Sequence, residues 1–481
     1  MRNEWLVLRL LGRLLPMIGL AVLLLHQRGR EKKRPDEEVP DYIKYNPRLS
    51  SGAMELPMTM LFLPLFFALW CGVKNGLEAL AFFSAGLAAL LSVYDLLLLC
   101  LLPWLRKHIS ARACATLWLL PSLLYFAAHY LDQAVPQMPR LVFYIPPAVW
   151  RVAGILWAVG FTAVLARYFL QHRRFLRELR ADERMPEEQT RLIWFELLRE
   201  EGFSEDKTIP LRISPRVATP LVVGVSFKGL RAYLPERGYT EEDLRLIFRH
   251  ELCHITRGDG ETKLFWCFCR ALCWFNPLIW IAADKALDDL ELACDEAVLA
   301  GADEPVRRRY AALLLDTAGD ARGFSTCLSS GAQTLRHRLK SVVAPGNLRR
   351  GTAVLVLAMV VLCLCQGQIA FATKRGRLGD FADIGSVILA EDSEAAAQWL
   401  RELEVLDMPA LNKMNGIDGY STQWKGRLTI RDSQGHSGTV FFSDRWVSVT
   451  YYDTQEWTSN SEVYRLTRPL DTSFLQSERR E

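Results

Sequence analysis

Long apolar runs decide what this chain can become. They occupy residues 5–25, 57–73, 77–103, 114–131, 148–170 and 352–371, and most approach the roughly 20 residues a helix needs to cross a bilayer. Lipid offers a peptide group no hydrogen bonds, so a run that enters it must be helical. The second run is short, and the third is interrupted near Asp95 and Pro103. The first carries Arg9 and Arg13, which suits a crossing helix with snorkelling arginines, an interfacial amphipathic helix or an uncleaved signal-like segment. Residues 172–350 instead alternate charged and apolar residues as a water-soluble domain does. Membrane and globular parts therefore share one chain.

Charge placement orients them. Arg28, Arg30, Lys32, Lys33 and Arg34 form one basic cluster, Arg106 and Lys107 another, Arg173, Arg174, Arg177 and Arg180 a third, and Arg349 and Arg350 a fourth. Each sits beside an apolar run, the usual mark of a cytoplasmic flank. The reading is a multi-pass helical protein of the cell membrane in four parts. Residues 1–171 hold about five spans, 172–350 form a cytosolic domain, 351–373 make a further transmembrane helix, and 374–481 lie outside. A formal charge of +4, with no aromatic-flanked basic surface, argues against a nucleic-acid partner. No cysteine lies beyond Cys365, so the outer part has no disulfide framework. Cys267, Cys269 and Cys273 stand among Phe265, Trp266, Phe268 and Leu272 and read as small buried hydrophobes.

The outer part opens with a helical pattern, Ala395 to Leu403, followed by alternating runs at Gly426 to Ile430, Thr439 to Ser443, Trp446 to Tyr452 and Val463 to Leu466. Asp432-Ser433-Gln434-Gly435 supplies a turn between the first two strands, with His436 as a turn residue. These elements predict a small α+β domain.

The cytosolic domain holds the run His250-Glu251-Leu252-Cys253-His254. Two histidines four positions apart share one face of a helix and can share a metal, and the glutamate between them can activate water. A helix is expected here: Thr240 caps it with Asp243 three residues on, Leu244, Ile247, Phe248 and Ile255 keep helical spacing, and Gly258 stops it. Catalytic zinc takes three protein ligands, so a third is needed. The next strong helix opens at Asn276-Pro277 and carries Glu291, Cys294, Asp295 and Glu296. Glu291 completes a His-His-Glu set, with Cys294 as a competitor, and Asp295 is placed to accept a hydrogen bond from the far nitrogen of a ligand histidine.

The segments HELCHITRGD (250–259), WFNPLIW (274–280) and LELACDEAVL (290–299) resemble those of the BlaR/MecR-type membrane metallopeptidases, as do ISPRVATPLVVGVSFKGLRAYLP (213–235) and LSSGAQTLRHRL (328–339). The resemblance covers residues 205–345. It implies an α+β zincin-like (gluzincin) domain in which His250, His254 and Glu291 hold one Zn2+ and Glu251 is general base and acid. The ExxxD arrangement is also similar to that of CAAX-processing membrane proteases, which favours Glu291 over Cys294 and sets Asp295 behind the ligands. The implied activity is a zinc metalloendopeptidase in signal-responsive proteolysis, with a peptide or protein substrate: the chain itself, a transcriptional repressor or a membrane protein. A non-catalytic receptor that retains the zinc fold, or a housekeeping processing protease, are the alternatives.

Other residues carry weaker expectations. Leu221 to Phe227 and Arg231 to Leu234 read as a strand pair joined at Lys228-Gly229, serving as a substrate-binding edge or a structural hairpin. Leu264 to Ala283 reads as a helical hairpin against the membrane or the other spans. Tyr310 and Arg309 are packing or surface residues rather than oxyanion donors, and His337, between Arg336 and Arg338, belongs to a solvated face. The antibiotic-sensing members of the family end in a penicillin-binding domain with an SxxK serine. No such motif follows residue 371, so the outer domain is expected to bind another ligand, contact a partner or cap the spans.

Overall fold

The computed structural model describes residues 73–120, 141–203, 209–225, 228–317, 332–343, 369–388, 393–408, 424–453 and 458–470, and 348–358 in part. The first apolar run, the basic cluster at 28–34, the second run up to residue 72 and parts of the fourth and sixth lie outside the described residues.

Helix α1, Val73–His108, contains the third apolar run. It passes through Asp95 and Pro103 unbroken, contrary to the interruption expected there. Proline removes one backbone donor and crowds the preceding turn, so the packing of Leu98, Leu102 and Leu105 against the protein holds the helix through it. Leu91, Leu98, Leu102 and Leu105 face the protein, while Val93, Leu96, Leu97, Leu101 and Trp104 are exposed. The short helix α2, Ala111–Leu117, follows, capped by Ser110.

Strand β1, Leu141–Tyr144, leads into α3, Pro147–Ala181, whose first-turn proline suits a helix start. At 35 residues it extends roughly 50 Å at 1.5 Å per residue. Val152, Ile155, Leu156, Val159, Phe169 and Leu170 are exposed along it. Among the described residues it is the one helix long and apolar enough to cross a membrane by length and composition.

Next come α4, Glu188–Glu200, and strands β2, Leu211–Ile213, β3, Leu221–Val225, and β4, Lys228–Leu234. The strands form a sheet of order β2-β4-β3, with β2 parallel and β3 antiparallel to β4. One face is covered by α4 and by α5, Glu241–Arg257. Trp194, Leu197, Leu211, Val222, Leu234, Leu244, Phe248 and Leu252 form this core. Burial of one stripe of α5 leaves its opposite stripe for chemistry.

Helix α6, Asp259–Leu272, and α7, Pro277–Val298, form the expected hairpin. Leu264, Phe275 and Ile281 are exposed on it, and Trp157 of α3 donates to the carbonyl of Leu272 at 2.8 Å. Cys267, Cys269 and Cys273 are buried, as their apolar neighbours imply. Helices α8, Glu304–Thr317, and α9, Ala332–Val343, pack beside α7 and each other.

The C-terminal part starts with β5, Ile369–Ala372, which pairs in parallel with β1. Strands β6 (Lys374–Arg377), β7 (Ser386–Ile388), β8 (Glu404–Asp407), β9 (Gly426–Arg431), β10 (Ser437–Phe442), β11 (Trp446–Asp453) and β12 (Thr458–Leu466) form a sheet of order β6-β8-β12-β11-β10-β9-β7. Helix α10, Ser393–Glu402, covers one face through Ala397 and Leu400. This is the α+β arrangement expected, and His436 bonds Asp432 in the β9–β10 turn.

Helix α7 ties the domain to the apolar helices. The buried Asp289 carboxylate accepts from Arg106 of α1 at 2.7 Å and from Trp118 at 2.8 Å, and Glu296 accepts the Ala111 amide at 2.8 Å. Removing one partner of a buried pair strands the other. Asp289→Ala is therefore expected to cost about 3 kcal/mol, read as a lower unfolding midpoint of the detergent-solubilised protein; an unchanged midpoint would show that this contact does not anchor α7.

Candidate metal centre

Helix α5 is fixed at both ends. Thr240 accepts the Asp243 amide, and Asp243 accepts from the Thr240 backbone and hydroxyl, a reciprocal cap. At the other end Gly258 adopts φ 67° and ψ 41°, a left-handed conformation that a glycine takes without steric cost. The chain turns at once and Asp259 begins α6. That tight junction returns the Asp259 carboxylate to His254 one turn back.

The rings of His250 and His254 lie edge to face with centroids 4.7 Å apart, and their Nε2 atoms are 3.1 Å apart. Glu291 of α7 brings Oε2 to 3.5 Å from His250 Nε2 and Oε1 to 3.5 Å from His254 Nε2. Each far nitrogen is engaged: His254 Nδ1 with Asp259 Oδ2 at 2.7 Å, His250 Nδ1 with the Tyr310 hydroxyl at 2.8 Å. Tyr310 gives its own proton to Asp295 Oδ1 at 2.6 Å, so its oxygen accepts from His250. Both imidazoles then carry Nδ1–H, and both Nε2 lone pairs face one another.

Two imidazole nitrogens and a carboxylate that converge this closely repel unless a proton or a metal cation joins them. The buried Glu291 Oε1 makes no hydrogen bond. These three side chains form a potential metal-holding group, with ligand atoms within 4.8 Å of one another. The donor set of two imidazoles and one carboxylate fits catalytic zinc. Between the histidines in sequence, Glu251 is buried, and its Oε2 also lacks a hydrogen-bond partner.

Charge is arranged to keep the carboxylates ionised. Burial resists ionisation of Glu291, but His254, His250 and Arg338 outweigh it and hold the carboxyl well below the ordinary glutamate range. Burial likewise opposes charge on Asp259, and Arg257 and His254 prevail. The Arg338 guanidinium bonds both Asp295 oxygens at 2.7 Å and stands 3.3 Å from Glu291 Oε2.

The structure thus brings His250, His254 and Glu291 together, with Glu251 beside them in sequence. Cys294 lies elsewhere: its Sγ is 3.3 Å from His254 Nδ1 and 3.5 Å from Asp259, behind the ring. Burial, with Cys253 close by, pushes this thiol well up, and with His254 and Asp259 it forms a second potential metal-holding group. Asp295 is not the direct partner expected, for it lies 3.5 Å from His250 Nδ1 with Tyr310 interposed. Tyr310 is packed, as its sequence suggested, but also bonds a candidate ligand. Arg309 instead pairs with Glu242 and Asp243 at the start of α5. Arg338 is buried rather than solvated. Sequence reasoning missed Asp259; its signal was the acidic residue directly after the helix-stopping glycine.

The sequence profile of the BlaR1 peptidase M56 family matches residues 144–342, from the end of β1 through α9. The chain is also similar to the regulatory protein BlaR1 of Bacillus licheniformis, 27% identical over 186 residues, which cover 37% of this chain and 30% of that protein. The chain therefore spans less than a third of that relative. The similarity therefore lies in residues 144–342, the segment that holds His250, His254 and Glu291.

Groups that hold the far nitrogen of a metal-binding histidine typically affect metal affinity by 10- to 100-fold. Asp259→Ala and Tyr310→Phe should each weaken zinc binding by about that factor while helical content is kept. Competition against a chromogenic chelator measures it, and wild-type affinity in both variants would contradict the orienting role.

Proposed function

We propose that this protein is a membrane-embedded zinc metalloendopeptidase that cleaves peptide bonds in signal-responsive proteolysis. The observation that carries the reading is the convergence of His250, His254 and Glu291 on one point beside Glu251, whose buried carboxylate oxygen has no other partner. His250, His254 and Glu291 would hold one Zn2+, which supplies Lewis acidity to polarise the scissile carbonyl and acidify water. Glu251 takes the proton of the attacking water and delivers it to the leaving amine. Asp259 and Tyr310 keep both histidines in the ligating tautomer. Asp295, clamped by Arg338, stands behind Tyr310.

β3 lies at the edge of its sheet and packs against α5 and α6. An extended peptide adds to such an edge through main-chain hydrogen bonds, which lays it beside the metal helix. This favours the substrate-edge role of the strand pair over a purely structural one.

The four-part membrane topology belongs to the same proposal. The β1–β5 pairing ties the start of α3 to the start of the outer domain, while the far end of α3 enters the peptidase domain. A helix of roughly 50 Å separates the two, in keeping with a cytosolic catalytic domain at 172–350 and an extracytoplasmic domain at 374–481; the span expected over 351–373 must end before strand β5 at Ile369. The exposed apolar faces of α1, α3 and the α6–α7 hairpin favour contact with lipid. The relative's designation as a regulatory protein favours a signalling role, with the chain itself, a repressor or a membrane protein as substrate.

Glu251→Gln should retain zinc and lose cleavage by about 10²- to 10⁴-fold, the range of general acid–base catalysis, whereas His250→Ala should lose the metal. Comparing the proteomes of cells carrying wild type and Glu251→Gln reads this out as fragments made by the active form alone. Identical fragment patterns with intact signalling would favour a non-catalytic receptor. On intact cells, added protease should remove the outer domain and spare residues 172–317; the reverse pattern would invert the topology.

A further inference from the structure

Beside His254, between β3 and the last turn of α5, lies a recess of about 20 Å³. Val222, Leu230 and Ile255 give it apolar walls, Gly224 and Gly260 also line it, and it shares His254 with the metal centre. Its dimensions are set by backbone. A Cβ on Gly260 would lie 2.9 Å from the Gly224 carbonyl oxygen, and one on Gly224 would lie 2.7 Å from that of Gly229. Gly224 also has φ +111°, at the shift of register in β3, where a side chain would be strained. Strand and helix therefore touch without side chains, and the recess cannot open by rotation of a rotamer at that contact. The recess is half open, and its enclosed part holds about one water molecule, which suits a methyl or hydroxymethyl group at its floor. Glu261 lines it too but is engaged within the fold, so no free charge there selects a basic side chain.

We propose that this recess is the subsite for one of the two substrate residues joined by the scissile bond, and that it restricts that residue to glycine, alanine or serine. The inference rests on the zinc peptidase reading above. A peptide paired with the β3 edge turns alternate side chains to opposite faces. The one that enters a recess walled by a metal-ligand histidine belongs to a residue at the reacting bond. The same side chain displaces the water that the recess would hold, which leaves the apolar walls in contact with carbon. Val222, Leu230 and Ile255 are the residues that determine specificity.

The test is cleavage of a proteome-derived peptide library by the purified, zinc-loaded, detergent-solubilised full chain, with Glu251→Gln as background and new termini read by mass spectrometry. Wild type should show glycine, alanine or serine at one flanking position, and matched peptides with leucine there should be cut at least about tenfold more slowly, as steric discrimination by a few methylenes allows. Leu230→Ala and Ile255→Ala, each checked for zinc content, should reduce that difference to about threefold or less while preferences at other positions stay unchanged. Glu251-dependent cleavage without a size preference at either flanking position would overturn the subsite and leave the peptidase standing. Full retention of the wild-type preference in both zinc-loaded variants would also overturn it. Absence of any Glu251-dependent cleavage would instead remove the peptidase reading, and the subsite with it. The wild-type profile decides the matter even where a variant fails to fold.

Discussion

Two hydrogen bonds at the backs of the histidine rings govern the rest of the site. Asp259 holds the Nδ1 proton of His254 and Tyr310 that of His250, and only then do both Nε2 lone pairs point at Glu291. Each bond depends on a different part of the fold. The first needs the left-handed Gly258, because a longer loop between α5 and α6 would carry Asp259 away from the ring. The second needs α8 packed against α5, with α9 delivering Arg338 to both oxygens of the Asp295 behind Tyr310.

The cost of this arrangement is a dense cluster of buried charge. Arg257, Asp259, Glu291, Asp295 and Arg338 lie within one layer between α5, α7 and α9. Pairing offsets desolvation here only where geometry is close, and the bidentate Arg338–Asp295 contact supplies such geometry. The polar layer is sealed by apolar packing: the sheet core on one side of α5, and the α1–α2–α6–α7 cluster on the other. Helix α7 joins the two, since Glu291 faces the candidate metal site while Asp289 anchors to Arg106 and Trp118.

Much of this was legible in the sequence where the signal was local. The Thr240 cap, the Gly258 stop and the i, i+4 histidines each depend on a few adjacent residues, and all appear in α5 as expected. The spacing of Glu291 and Asp295 was readable because helix α7 announces itself with Asn276-Pro277. The C-terminal strands followed from strict alternation. Asp259 was hidden because its role depends on a reversal of chain direction that no periodicity encodes. Tyr310 and Arg338 were discounted for related reasons: both come from later helices, and Arg338 sits in a basic run whose neighbours Arg336 and His337 carry no sign that one member turns inward. The continuity of α1 through Asp95 and Pro103 was unreadable because tertiary packing, not local propensity, decides whether a helix survives such residues.

The central claim is that the lone pairs of His250, His254 and Glu291 meet on one zinc ion. Zinc K-edge X-ray absorption on the purified full chain tests it most directly. The account predicts one zinc per chain with only nitrogen and oxygen neighbours at about 2.0–2.2 Å. A sulfur neighbour at about 2.3 Å would place Cys294 in the ligand set and contradict the geometry, and a protein that takes up no zinc would contradict the metal centre itself.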